Sequence, residues 1–197
     1  MLGRCRLPPG RVEVSFAKQE IIVTKMSENS GISSCLLLFG ATGDLARRML
    51  LPSLFALHED GLIAPDLRIV GSARSEMSDE QFRELAAEAL SEYLPEDRKG
   101  NGQLRSFLER LSYQALDATQ NNGFSALSGK LGDISGGLAI FLSTAPSLFE
   151  TTIAGLKSAG LTGDNVRIGL EKPLGNDLET SGLINDAVAA AFTEEQT

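Results

Sequence analysis

Residues 36–57 read LLLFGATGDLARRMLLPSLFAL, and this stretch decides how the rest of the chain is read. Leu36 to Phe39 are four apolar residues that run straight into Gly40. An unbroken apolar run of that length marks a strand buried on both faces, as parallel sheets require. Gly40-Ala41-Thr42-Gly43-Asp44-Leu45-Ala46 then leads into helix-forming residues. Strand, glycine turn and helix in that order build a phosphate-binding corner. Glycine lets backbone N–H groups approach a pyrophosphate, and the helix N-terminus adds positive partial charge. The spacing Gly40, Gly43, Ala46 departs from the common G-x-G-x-x-G, and the alternative reading is an ordinary strand–helix turn.

The chain has 197 residues, enough for one generous domain, with 42% hydrophobic and 22% charged residues, an ordinary balance for a globular protein. No apolar run approaches the length needed to span a bilayer. A formal charge of −8 argues against nonspecific nucleic-acid binding, so an anionic ligand must be met by a few placed cations. Cys5 and Cys35 have no metal-ligand spacing, no metal site is expected, and two isolated thiols suit a reducing, cytoplasmic setting. Met1 to Lys25 holds five basic and two acidic residues against 13 and 24 in the remainder, and lacks the apolar core of a signal peptide. Residues 1–33 are therefore expected to be a disordered extension, with Met26 as the natural start.

Further strands are expected at Leu67–Gly71, Ser112–Leu116, Leu138–Leu142 and Asn165–Leu170, with helices between them. That alternation predicts an α/β fold, a Rossmann-like doubly wound parallel sheet over residues 34–197. Ser78 and Gln81 have capping-box spacing, as do Ser147 and Glu150, and Asp177 is placed to cap a last helix reaching Phe192. Leu183, Ile184, Ala187, Val188, Ala191 and Phe192 are spaced to pack that helix on the sheet. At the end of the second strand an NAD site usually places Asp or Glu. This chain has Gly71-Ser72-Ala73-Arg74 instead. Arg74 is either a solvated surface arginine or the ligand of a 2′-phosphate, which a guanidinium grips and a carboxylate repels.

Gly-Ala-Thr-Gly-Asp-Leu-Ala-Arg-Arg followed by Leu51-Pro52-Ser53-Leu54-Phe55 resembles the coenzyme domain of the glucose-6-phosphate dehydrogenase family. Pro52 matches the proline that interrupts that family's first helix, and Glu171-Lys172-Pro173 at the end of the fifth strand matches its second landmark. The resemblance covers about Ser34 to Gln196. It implies NADP as cofactor, held by Gly40, Ala41, Thr42, Gly43, Asp44 and Leu45, by Arg74 with help from Thr42, by Asp117 and Ala118 near the adenine, and by Ala145, Glu171 and Lys172. The resemblance also implies that Lys172 is an accessory catalytic residue, reaching toward sugar phosphate and nicotinamide. Where Phe141 stands the family usually has a tyrosine, so a hydroxyl contact is lost.

The family reaction oxidises glucose 6-phosphate to the lactone with NADP, in the pentose phosphate pathway. Its histidine base sits in an Arg-Ile-Asp-His-Tyr-Leu-Gly-Lys-Glu segment that these 197 residues do not contain. The resemblance therefore implies that the C-terminal α+β substrate domain is missing, that the fragment is inactive, and that the homodimer or homotetramer of the full-length family needs the absent part. A sheet edge meant for that part is expected to be unpaired. His58, the single histidine, reads as a surface helix residue. The alternatives are a glucose–fructose-oxidoreductase-type enzyme, disfavoured by Gly-Asp-Leu-Ala, and a non-catalytic NADP-binding module. A short-chain reductase would need Tyr-x-x-x-Lys, but Asp97 and Asp117 follow Tyr93 and Tyr113 at that spacing.

Overall fold

The computed structural model describes residues 33–98, 102–120, 123–171 and 178–197. The expectations for the leading extension, for Lys172 and for the Asp177 cap fall outside these residues. At the centre lies β1 (Cys35–Phe39), whose five residues are all buried, as its apolar run requires. It pairs in parallel with β2 (Arg68–Ala73) on one side and β4 (Leu138–Leu142) on the other. β3 (Leu111–Ala115) lies outside β2 and β5 (Val166–Leu170) outside β4, giving the order β3-β2-β1-β4-β5. The chain winds outward from β1 to β3 and then crosses back to β4. The order thus reverses between β1 and β4, where an open α/β sheet leaves a crevice at the strands' carboxyl ends.

Alternation along β1 divides the protein into two cores. Leu36 and Leu38 face a layer made by α1 (Leu51–Glu59), α2 (Asp79–Tyr93) and α3 (Leu104–Leu108). Cys35, Leu37 and Phe39 face α4 (Gly123–Leu131), α5 (Phe149–Ser158) and α6 (Leu178–Ala189). Burial raises the pKa of the Cys35 thiol to about 11, against a smaller opposing pull from Arg68. Helix packing also explains Pro52. A wide π-type turn, Ala46–Leu50, precedes α1, and the Leu51 N–H reaches back to the Ala46 carbonyl. Pro52 follows that turn directly, so the widened backbone accommodates a residue that has no N–H to donate within a continuing helix.

The Ser78–Gln81 capping box forms as expected, with bonds of 3.2 and 2.8 Å. The second box does not. Pro146 opens a short 3₁₀ turn, Pro146–Leu148, so Leu148 rather than Ser147 precedes α5, and the Leu148 carbonyl accepts the Thr152 hydroxyl at 2.7 Å. α6 ends at Ala189, short of Phe192, although Phe192 is itself buried. Leu183 was expected to pack inward and is instead 57% exposed. Apolar spacing alone does not say which flank of a helical stripe the sheet covers.

The two edge strands are treated differently. At β3 the outward N–H of Tyr113 donates to Asp79 at 2.7 Å, and Lys130 of α4 reaches the same carboxylate at 2.9 Å. Because α2 and α4 lie on opposite faces, this contact clasps the strand from both sides and blunts its edge. At β5 the side chain of Gln196 donates to the carbonyls of Gly163 (2.7 Å) and Val166 (3.0 Å), covering the start of the edge expected to be open.

Burial works against the Asp79 carboxylate. Hydrogen bonds from Lys130 and the Tyr113 N–H, with the charges of Lys130 and Arg83, nevertheless hold its pKa below the ordinary value. Its contribution to stability is therefore complete above the unfolded carboxyl pKa and is lost as pH falls through the lower folded value. Asp79→Ala should cost about 1–3 kcal/mol in urea unfolding at pH 7, with the gap to wild type closing in strong acid.

Candidate coenzyme-binding site

The parallel register brings every strand's carboxyl end to one edge of the sheet. Phe39 is level with Ser72 and Leu142, Ala73 with Ala115, and Leu142 with Leu170. The expected site residues Gly40–Leu45, Arg74, Asp117, Ala118, Ala145 and Glu171 all follow directly from these ends. Lys172 lies outside the described residues.

The glycine turn is tied down at its base. Gly40 and Ala41 both donate to the Ser72 carbonyl, at 2.8 and 3.2 Å, and the Gly43 N–H donates back to Gly40 at 2.9 Å. Gly40 has φ of +78°, and a Cβ there would lie 2.7 Å from the Ser143 carbonyl oxygen. Only glycine meets both conditions. Ala41 is buried, with Gly71 fitted beneath it: a Cβ on Gly71 would meet Ala41 at 2.9 Å and the Phe82 ring at 2.4 Å. The backbone N–H groups of Thr42, Asp44 and Leu45 have no acceptor among the described residues. Gly43 and Asp44 are exposed. Three free donors at the head of a helix, beside a glycine open to solvent, fit a phosphate group. The Thr42 side chain is half-buried at the same turn.

Arg74 is exposed one residue past β2, and its guanidinium has no partner among the described residues. At the end of β3, Asp117 accepts the Thr119 N–H at 3.0 Å and the Thr119 hydroxyl at 2.7 Å through one oxygen. These bonds hold its carboxyl below the ordinary range, and the Arg74 charge adds to the effect. Ala118 is buried behind it. After β4 the Ser143 N–H donates to the Phe39 carbonyl at 3.1 Å, and the Ser143 hydroxyl donates to the same oxygen. Ala145 is exposed at the start of the Pro146 turn. The Glu171 N–H extends the ladder to Leu142 at 3.2 Å, leaving its side chain half-buried.

One candidate escaped the sequence reading. Arg47 is half-buried in the first turn after the glycines, with its Nε enclosed and without a hydrogen-bond partner. A cation at a helix N-terminus opposes the helix dipole, which is the signal that could have singled it out. Its neighbour Arg48 is already engaged, 3.6 Å from Asp44 and stacked over the Tyr93 ring. His58, expected as a surface helix residue, has neighbours that the sequence did not show. It is half-buried in the last turn of α1, with Nε2 3.0 Å from the Ser106 hydroxyl and its ring against Phe107. Burial, then the Arg110 charge, lowers its pKa. Among the described residues no group of His, Cys, Asp and Glu could hold a metal ion, and no helix is long and apolar enough to cross a membrane.

A parallel sheet with a glycine corner at its switch point defines a Rossmann-type dinucleotide-binding domain. Residues 37–197 match the family described as glucose-6-phosphate dehydrogenase, NAD binding domain, and the chain belongs to that family. It is 51% identical over 163 residues to glucose-6-phosphate 1-dehydrogenase of Zymomonas mobilis, covering 83% of this chain and 34% of that protein. The Leuconostoc mesenteroides enzyme of the same name is 32% identical over 175 residues, covering 85% and 35%. The crystal structure of the Mycobacterium avium enzyme superposes with a TM-score of 0.76 at 31% identity, covering 85% of this chain and 36% of that one. A glucose-6-phosphate dehydrogenase solved with its substrate gives a TM-score of 0.73 at 25% identity, covering 84% and 36%. The chain spans about a third of the length of these relatives.

Gly40→Ala should strain the backbone and press a methyl into Ser143, costing about 1–3 kcal/mol of stability. It should also shift the turn enough to abolish coenzyme binding. Thermal unfolding and calorimetric titration of the variant read the two effects separately.

Proposed function

We propose that residues 34–197 form the NADP-binding domain of a glucose-6-phosphate dehydrogenase, whose whole protein oxidises glucose 6-phosphate to the lactone. The observation that carries NADP over NAD is Arg74: an exposed guanidinium with no described partner stands where an NAD site keeps a carboxylate. The free N–H groups of Thr42, Asp44 and Leu45 would take the pyrophosphate, and Arg74 with the Thr42 hydroxyl the 2′-phosphate. Ala41 and Gly43 let the backbone come close. Asp117 and Ala118 would border the adenosine, and Ala145, Glu171 and Lys172 the nicotinamide end. When bound, the nicotinamide supplies the hydride acceptor. Lys172, two residues after β5 in the sequence, would hydrogen-bond the sugar hydroxyl undergoing oxidation. The reading also places the protein in the cytoplasm, as a homo-oligomer in its whole form.

Oxidation of a hydroxyl needs a base for its proton, and an imidazole suits neutral pH. The one histidine of these 197 residues, His58, is half-buried against Phe107 at the far end of α1 from the glycine turn. These residues by themselves lack the base and the rest of the sugar phosphate pocket. Incubated with glucose 6-phosphate and NADP, the purified chain should give no NADPH absorbance; steady turnover proportional to protein would show that the base lies within it.

Coenzyme choice is tested directly by titration. Arg74→Ala should weaken NADP binding by about 1.5–3 kcal/mol, the worth of a charge-assisted contact, and leave NAD binding nearly unchanged. Equal losses for the two coenzymes would remove Arg74 from the 2′-phosphate.

A further inference from the structure

The outer side of β5 is closed only at its start. There the Gln196 side chain donates to the Val166 carbonyl at 3.0 Å, and the Val166 N–H donates to the Gly163 carbonyl at 2.9 Å. The bonds to β4 show which groups remain. The Leu138 N–H donates to Asn165 at 3.0 Å and the Glu171 N–H to Leu142 at 3.2 Å. Residues 165, 167, 169 and 171 therefore turn their backbone toward β4, while 166, 168 and 170 turn away. With Val166 engaged, the outward N–H and C=O groups of Ile168 and Leu170 are left without a hydrogen-bond partner among the described residues. The strand reads VRIGL and pairs with β4 in unbroken register, so neither a proline nor a bulge spoils further pairing.

These open groups are complementary to a second copy of themselves. In an antiparallel pair, opposed residues whose backbones face each other exchange both N–H···O bonds. When a copy of β5 runs antiparallel with the two-fold axis at Gly169, Ile168 of each strand opposes Leu170 of the other, and every open group is used. The same register sets Arg167 of each copy opposite Glu171 of the other, with both side chains on one face of the joined strands. The Arg167 Nη1 already stands at this edge, 3.1 Å from the outward carbonyl of Val166. A register centred one residue earlier would set Leu170 against the engaged Val166 and leave both charges unopposed.

We propose that two copies of this chain associate through their β5 edges, antiparallel and centred on Gly169, joining two five-stranded sheets into one. The arrangement is self-limiting. A two-fold pairing consumes the open edge of both copies, and the β3 edge of each is blunted by Asp79 and Lys130, so assembly stops at the dimer instead of growing into a fibre. The association does not depend on the coenzyme reading.

The test is sedimentation equilibrium of the 197-residue chain across the micromolar range, with thermal melts to check that each variant is folded. The wild-type chain should show a reversible monomer–dimer equilibrium with no larger species. Arg167→Glu, and separately Glu171→Arg, should weaken association about 10-fold or more, because each sets like charges opposite one another at both ends of the pair. The double variant reverses the charges but restores their attraction, and should return to within about 3-fold of wild type. Leu170→Pro removes an outward N–H without touching a bond to β4 and should give a monomer. If that variant fails to fold, the charge reversals decide alone. A wild-type chain that stays monomeric or forms only larger aggregates overturns the proposal. So does a dimer that survives in folded Leu170→Pro, or a charge reversal that the second reversal does not rescue.

Discussion

Two backbone donors, the N–H groups of Gly40 and Ala41, end on one acceptor, the carbonyl of Ser72. Much of the molecule is arranged to permit that convergence. It needs β1 and β2 in register up to Phe39, the last residue of β1, so that Phe39 and Ser72 are level. It needs Gly40 in a left-handed conformation beside Ser143, and Gly71 bare enough for Ala41 and Phe82 to close over it. Tying the first two donors of the turn to the sheet decides which later ones remain free, and it aims them away from the protein. An anion site of this kind is specified less by the residues that touch the ligand than by the bonds that satisfy their neighbours.

The sheet around this corner depends on its margins. β3 is closed by a carboxylate shared between a strand N–H and a lysine from the opposite helical layer. Arg68, at the amino end of β2, donates to the carbonyls of Leu131 and Asp133 and so caps α4 from within the sheet. The first contact joins the two helical layers, and the second joins the sheet to one of them, neither passing through a core. Among the described residues the carboxyl edge of the sheet shows no such cross-link, which suits a candidate binding edge.

The fold was largely legible because its strands are buried runs. β4 stands where its five apolar residues place it, and the other strands differ by a residue or two. The failures have physical causes. Ser147 lost its cap to the turn that Pro146 imposes one residue earlier. Leu183 lies on the flank of a stripe whose width the sheet, not the helix, sets. The candidate residues were legible as positions that follow strand ends, where the described ones indeed stand. The electrostatics of the site were not. That Arg47 is half-enclosed without a partner, that Arg48 is already paired, and that Arg74 shares its edge with Asp117 depend on neighbours brought from distant parts of the chain.

Cys35 carries a consequence of a different kind. Its side chain is wholly buried at the start of the central strand, and its proton is held well above neutral pH. A thiol reagent requires the thiolate and requires contact with it. Neither is met by fraying of a helix or opening of a surface loop, because β1 is flanked by strands on both sides and by helices on both faces. Modification at Cys35 is therefore gated by the deepest opening of the sheet rather than by local excursions. The chain carries in its first strand a built-in clock for its own global unfolding.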